Sequence, residues 1–334
     1  MALSGTDAST TIDVVRILVA IIALGLASVS DIRTRKVPNT LWYVMAGIGV
    51  GLLVVDLSLL EGSTGWYLVL AFPVAAVFAV VVTGGELWPV MPADEEDQDR
   101  ELTPSEARVY IVDLGVSVIL LVASVAILVL AYDNLSDTGP YWYIVSSVMM
   151  IVVALGLYLA RILHGGGDAK ALMTLAVLFP IYPLGDTFPI LETPAGMDLL
   201  FPFALAVLIN AAIITALLVP LAFIVISAAR GPLRFPEAIF GYPVPPDDVD
   251  EKRMWLLYEA EEGASELTRR LWPRRGKAAD EARARALAII QGRHEAIVYV
   301  SPKIPFMVPM LIGLILAIFL GNIITGLLWA LLGA

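Results

Sequence analysis

Long apolar runs separated by short polar segments constrain this chain more than any other feature of its sequence. A helix needs roughly 20 mostly apolar residues to cross a bilayer core that is about 30 Å thick. Hydrophobic residues make up 59% of the 334 residues and charged residues only 16%, so the chain is more apolar than a soluble domain. We therefore predict an all-α polytopic membrane protein embedded in the lipid bilayer. About eight transmembrane helices are expected, at residues 14–30, 40–60, 65–84, 109–132, 141–163, 169–184, 198–228 and 305–332.

The basic residues predict which side of the membrane each loop faces. Cytoplasmic loops close to span ends carry an excess of Lys and Arg. With the N-terminus outside, eight spans place twenty of the 21 basic residues on one side, and only Arg16 on the other. We therefore expect a multi-pass protein of the plasma membrane with its N-terminus outside. The segments expected to face the cytoplasm are 31–39, 85–108, 165–170 and 229–303.

The same spans divide the chain into three parts. Residues 1–228 are predicted to form a membrane domain with seven spans, residues 229–303 a soluble cytoplasmic segment, and residues 304–334 the last transmembrane helix. Within the soluble segment, the sequence "ELTRRLW" at 266–272 is predicted to be helical, with a break at Pro273. An Ala- and Arg-rich helix is expected to follow that break.

The composition narrows the chemistry that the chain can perform. It has no Cys and only two His residues, which excludes disulfides, thiol catalysis and Cys-ligated zinc, so we expect no metal and no other cofactor. The net charge of −11, from 32 acidic and 21 basic residues, argues against nucleic acid as a partner. Much of the acidic excess lies in the loop 93–101, and such an excess is typical of proteins from halophilic archaea.

Two carboxylates differ from the charges expected at membrane boundaries. Asp31 lies in the last turn of the first predicted helix, where the negative end of the helix dipole disfavours an acid. Asp168 lies in the sequence "GGGDAK", residues 165–170. One interpretation is capping, with Gly165 ending the fifth helix and Asp168 beginning the sixth. Capping does not explain three consecutive glycines, because each one costs roughly 1 kcal/mol of entropy when it is ordered.

The predicted topology places Asp31 and Asp168 on the same membrane face, at the ends of different helices. Aspartyl proteases use two carboxyl groups that converge on one site. One of them activates water, and the other, protonated, polarises the scissile carbonyl. Such a pair needs no metal, which suits a chain without Cys. Helix dipoles predict that Asp168, at a helix N-terminus close to Lys170, is the ionised base and that Asp31 is the protonated acid.

These residues resemble two motifs of the type IV prepilin peptidases. The resemblance is strongest to the archaeal prepilin and preflagellin peptidases, which belong to the GxGD intramembrane aspartyl proteases. In the first motif an Asp is followed, after five residues, by an apolar residue, a Pro and an Asn or Asp, as Asp31 is followed by Val37, Pro38 and Asn39. The second motif, G-x-G-D-x-K, is matched by Gly165, Gly167, Asp168 and Lys170.

The resemblance implies an aspartic endopeptidase with Asp31 and Asp168 as catalytic residues and no cofactor. Its substrates would be pilin-like and archaellin precursors with class III signal peptides, whose short basic leader it would remove at the cytoplasmic membrane face. The region around residues 65–140 looks like an insertion, because small archaeal members have fewer spans between the two Asp residues.

Two other functions compete with the peptidase. Asp113, about one turn inside the fourth predicted span, is a rival or a third acid of the site. In an ion- or proton-coupled secondary transporter, Asp31, Asp113 and Asp168 would bind cations or protons at broken helices near the bilayer midplane. The motif residues are instead predicted at one interface. A catalytically inactive membrane scaffold for residues 229–303 would leave the paired motifs as a coincidence.

Overall fold

A computed structural model describes residues 7–60, 65–84, 104–163, 165–184, 188–191, 196–250, 253–263, 266–272 and 276–332. The acidic loop 93–101 lies outside the described residues. The chain divides into two compact units, one formed by Met1–Ala211 with Phe306–Ala334 and the other by Ala212–Pro305. The division falls within a helix, between Ala211 and Ala212.

The first unit is helical throughout its described secondary structure. Its helices are α1 (Asp7–Thr34), α2 (Asn39–Leu59), α3 (Gly65–Val69), α4 (Ala71–Gly84), α5 (Pro104–Leu135), α6 (Gly139–Leu159), α7 (Gly166–Leu178), α8 (Met197–Leu200), α12 (Met307–Phe319) and α13 (Ile323–Leu332). A further helix, α9 (Phe203–Arg230), begins in the first unit and ends in the second.

Five of the described helices are long and apolar enough to cross a membrane, at Ser9–Thr34, Asn39–Leu59, Val112–Leu135, Gly139–Leu159 and Phe203–Arg230. The pair α12 and α13, bent by 43°, makes a sixth if it counts as one broken span. The predicted all-α polytopic membrane fold is confirmed, but the count of eight spans is not.

Two predicted spans, 65–84 and 169–184, are not among the long apolar helices, and a proline interrupts or ends the helix in each. The predicted span 65–84 is divided at Leu70, because Pro73 has no N–H to bond to the carbonyl of Val69. The predicted span 169–184 ends as a helix at Leu178, because Pro180 disfavours helical backbone at Phe179, which has φ −123° and ψ 79°. Each run of apolar residues is therefore longer than the helix it forms.

The short helix α7 lies in the centre of the first unit. It packs against α2, α4 and α6, and all its residues from Ala171 to Leu178 are buried. The hydroxyl of Ser147 on α6 donates to the carbonyl of Ala176 at 2.6 Å. Gly49 on α2 allows the closest backbone approach, because a Cβ there would lie 3.1 Å from the Cα of Leu178. Packing on several sides therefore fixes the position of α7.

A cluster of buried charges occupies the end of α1 opposite Asp31. Arg16, only 2% exposed, forms ion pairs with Asp13 at 3.5 Å and with Asp56 on α2. Asp13 also accepts a hydrogen bond from the N–H of Leu184 at 2.9 Å. These contacts explain why Arg16 was the exception to the predicted charge distribution, since it pairs with the buried Asp13 and the half-buried Asp56.

The second unit is a small α/β assembly at the end of α9. It contains α10 (Glu237–Phe240), α11 (Lys277–Gly292) and the strands β1 (Tyr242–Val244), β2 (Met254–Leu256), β3 (Tyr258–Glu259), β4 (Thr268–Arg269) and β5 (Val298–Pro302). Antiparallel pairing gives a sheet of order β1-β5-β2, and β3 pairs with β4. Residues of α11, including Ala286 and Ile290, pack with Leu256 and Val300 in its core.

The helix predicted after the break at Pro273 is confirmed as α11, but the helix predicted at 266–272 is wrong. Those residues contain β4, and the N–H of Arg270 donates to the carbonyl of Leu257 at 2.8 Å. The side chain of Arg270 also pairs with buried Glu259 at 3.6 Å. Contacts with a distant part of the chain thus override the helical preference of the basic residues.

Replacing Arg16 with Met is expected to destabilise the fold by roughly 3–5 kcal/mol, because Asp13 and Asp56 would remain buried without their cation. Thermal unfolding of the purified protein in detergent measures this change. Arg33→Met is the matched control, since Arg33 is an exposed residue near the other end of the same helix. An unchanged unfolding temperature for Arg16→Met would contradict a stabilising role of the charge cluster.

Candidate active site

Asp31 lies in the last turn of α1, as predicted, and meets the beginning of another helix. Its Oδ2 atom lies 3.5 Å from the backbone nitrogen of Met307, the first residue of α12, which donates a weak hydrogen bond to it. The positive end of the α12 dipole favours a carboxylate there, offsetting the unfavourable position at the end of α1. Asp31 is therefore stabilised by a residue that follows it by 276 positions.

The loop after Asp31 is shaped by side-chain hydrogen bonds. The hydroxyls of Ser30 and Thr34 both donate to the carbonyl of Lys36, at 2.6 and 3.0 Å. The extended backbone of Pro38, with φ −66° and ψ 135°, then caps the N-terminus of α2, which begins at Asn39. The first motif thus forms one continuous turn from the end of α1 to the start of α2.

Asp168 is the third residue of α7, and Gly165, not Asp168, occupies the N-cap. The Asp168 carboxylate reaches back and accepts a hydrogen bond from the N–H of Gly165, as an acidic residue does in a capping box. A Cβ on Gly165 would lie only 2.6 Å from Asp168 Oδ2. The first glycine of the run is therefore needed to make room for the carboxylate, which the capping interpretation had missed.

The two motifs meet where α1, α2, α7 and α12 come together. A Cβ at Gly167 would lie 3.8 Å from the Cε atom of Met307 and 3.9 Å from the Cβ atom of Val37, so both flank this glycine. Lys170 Nζ donates to Asn39 Oδ1 at 2.9 Å, which joins the last residues of the two motifs. Nothing in the sequence directly indicated that these two residues pair.

Burial and the negative charge of Asp31, in that order, raise the pKa of Asp168 from 3.8 to about 7. The hydrogen bond from Gly165 lowers it by a smaller amount. Asp168 lies in the first turn of a helix too short to cross the membrane, and it is half-buried. The raised pKa makes Asp168 a candidate proton donor near neutral pH, which is the opposite of the role that the helix dipole predicts for it.

Asp113 belongs to a different part of the first unit. It lies half-buried on α5, a helix that packs against α4 and α6, whereas the two motifs lie on α1, α2 and α7. Among the described residues, no group of three or more His, Asp or Glu side chains could hold a metal ion. The contact of Met307 with Asp31 was missed by sequence reasoning, although the segment "SPKIPFMVP" that leads into the last helix marks its start.

Residues 234–323 match the family model described as Archaeal Peptidase A24 C-terminus Type II. No curated protein and no solved structure matches the chain. The match confirms the resemblance to the archaeal prepilin and preflagellin peptidases, and it supports a protease. Because the matched region includes neither Asp31 nor Asp168, it is an indication independent of the two motifs.

Replacing Gly165 with Ala is expected to displace the Asp168 carboxylate and to lower peptidase kcat on the order of 100-fold, the cost of misplacing a reacting group by about 1 Å. Gly166→Ala is the control, because the nearest atom to a Cβ there is 3.7 Å away on Tyr158. Both variants are compared for cleavage of a precursor and for thermal unfolding. Equal activity of the two folded variants would contradict the steric role of Gly165.

Proposed function

We propose that this chain, a member of the archaeal prepilin and preflagellin peptidase family, is an intramembrane aspartyl endopeptidase with Asp31 and Asp168 as its catalytic pair. The observation that carries the proposal is that Met307 links the two motifs, since its N–H donates to Asp31 and its side chain flanks Gly167, next to Asp168. The negative charge of Asp31 also contributes to the raised pKa of Asp168. Residues separated by more than a hundred positions thus share one site without a metal ligand set. The substrates are the precursors of pilin-like proteins and archaellins, with class III signal peptides.

The reaction begins with a water molecule between the two carboxyl groups. The Asp31 carboxylate takes a proton from this water as the water oxygen bonds to the scissile carbonyl carbon, and Asp168 donates its proton to the carbonyl oxygen. The product is a neutral tetrahedral diol. When the C–N bond breaks, Asp31 transfers its proton to the leaving nitrogen, and Asp168 recovers a proton from a diol hydroxyl. Both carboxyl groups return to their starting states, and water has been added across the peptide bond.

Several neighbouring groups support this division of labour. The N–H of Met307 donates to Asp31 Oδ2 at 3.5 Å, which positions that carboxyl group against the start of α12. Lys170 is engaged with Asn39, so it links α7 to α2 at the site. We assign Lys170, Asn39 and Pro38 to positioning, and Gly165 and Gly167 to the close approach of α7 to its neighbours.

The position of the pair at the ends of helices suits a substrate that crosses the bilayer. The hydrophobic segment of a precursor would lie in the membrane, and its basic leader would emerge at the surface where Asp31 and Asp168 are found. Arg33, Arg35 and Lys36 follow Asp31 within five residues, which supports placing this end of α1 at the cytoplasmic face of the plasma membrane, with the N-terminus of the enzyme outside.

Asp31→Asn and Asp168→Asn are each expected to lower the cleavage rate by about 10²–10⁴-fold, because Asn can neither hold the charge nor transfer the proton. Co-expression with a tagged pilin precursor that has a basic leader, followed by a mobility shift assay on membranes, measures the effect. Asp113→Asn is the matched control and is expected to remain active. If both motif variants process the precursor at the normal rate, the carrier hypothesis replaces the peptidase.

The pH dependence provides a separate test of the roles. Since Asp168 must be protonated to donate, and its pKa is about 7, kcat is expected to fall as the pH rises through about 7 and to be retained just below that value. Single-turnover cleavage over a pH series measures this profile, and Asp113→Asn should leave it unchanged. A rate that rises through pH 7 would instead identify Asp168 as the ionised base.

Asp31→Asn also tests the coupling between the carboxyl groups without relying on activity. Removing the negative charge of Asp31 should lower the pKa of Asp168, because that charge is one cause of its elevation. Infrared titration of the Asp168 carboxyl group, identified by its loss in Asp168→Asn, measures the shift. An unchanged titration would show that the two groups are too far apart to share a proton.

A further inference from the structure

Among the described residues that follow α9, the second unit exposes several large apolar side chains. Trp272 is 77% exposed, Phe235 59% and Leu233 39%. Together with Arg234 and Arg269 they form what we call the basic aromatic surface. The proposed peptidase reaction uses none of these residues. Large apolar side chains that a soluble unit leaves exposed together mark an interaction site.

The segments that carry this surface are held side by side. The rings of Phe240 and Trp272 pack edge to face with centroids 5.4 Å apart, which joins the turn containing α10 to the end of β4. Arg269 on β4 pairs with Glu237 on α10 at 3.1 Å. Arg234 donates a hydrogen bond to the hydroxyl of Tyr258, and the positive charge of Arg269 also acts on that hydroxyl. These contacts hold the segments around Trp272 in place, and its side chain is exposed in that arrangement.

The charge of the surface is positive on its exposed side. The side chain of Arg269 is 49% exposed, whereas that of its partner Glu237 is only 8% exposed. Arg234 is exposed and bonded to a neutral tyrosine. Arg230 lies over the neutral ring of Tyr242, 5.2 Å from its centroid. The arginines thus face outward while the acidic partner lies inside.

The surface lies directly after a helix that can cross the membrane. The apolar helix α9 ends at Arg230, and Leu233 and Phe235 follow within five residues, a reach of at most about 18 Å. Trp and Tyr residues are enriched at the membrane–water interface, and basic residues there contact anionic lipid headgroups. A surface that combines an exposed Trp with several Arg residues next to a span end matches that environment.

We propose that the basic aromatic surface docks on the bilayer, with Trp272 and Phe235 at the headgroup level and the arginines against anionic lipid headgroups. This contact would hold the second unit at the membrane surface where α9 ends. The proposal does not depend on the peptidase activity, since it rests on residues outside the catalytic pair.

The natural absence of Cys allows a direct test in the full-length protein. Single Cys residues are introduced as Trp272→Cys and Phe235→Cys, with Ala288→Cys on the exposed face of α11 as the control, and each is labelled with an environment-sensitive fluorophore. The labelled proteins are reconstituted in vesicles of phosphatidylcholine with phosphatidylglycerol. Lipids that carry a nitroxide near the headgroup serve as quenchers.

We expect a blue-shifted emission and strong quenching of the label at residue 272, a similar response at residue 235, and little response at residue 288. Replacing phosphatidylglycerol by phosphatidylcholine should reduce the quenching at residue 272. Arg234→Gln should lower the ratio of docked to undocked protein by about fivefold, the contribution of one basic residue at an anionic surface. Equal quenching at residues 272 and 288 would overturn the proposal and leave this surface for a protein partner.

Discussion

Burial of the short helix α7 is the constraint on which the rest of the first unit depends. The helix has 13 residues and ends before Pro180, so it cannot cross a membrane by itself. Its side chains from Ala171 onwards are enclosed by neighbouring helices, and Gly49 and Ser147 fix its distance from α2 and α6. A helix held in this way projects its first turn, with Asp168, in one defined direction.

The first unit stabilises its internal charges in two different ways. At one end of α1, Arg16 neutralises Asp13 and Asp56 directly. At the other end, Asp31 accepts a hydrogen bond from a backbone N–H at the start of α12, and burial together with the charge of Asp31 raises the pKa of Asp168 to about 7. The first arrangement is a cluster of ion pairs, whereas the second brings two carboxyl groups into one another's electrostatic field.

The C-terminal part of the chain contributes to both proposals. The region matched by the peptidase family model contains Met307, whose N–H reaches Asp31, and it also contains Phe235 and Trp272. The matched region therefore contributes a contact to the candidate active site and two residues to the basic aromatic surface. A membrane anchor in the second unit would hold its sheet and α11 next to lipid headgroups.

The sequence by itself determined the membrane class and the candidate catalytic residues, because hydropathy and motif spacing are local properties of the chain. It did not determine the number of full spans, since an apolar run does not show where Pro73 or Pro180 ends a helix inside it. The local helix dipole predicts Asp168 as the ionised base, and the roles of the two carboxyl groups stay a prediction. Only the tertiary structure brought Asp31 to Asp168 and to the start of α12, and burial together with a charge from a distant part of the chain then outweighed the dipole in setting the pKa of Asp168.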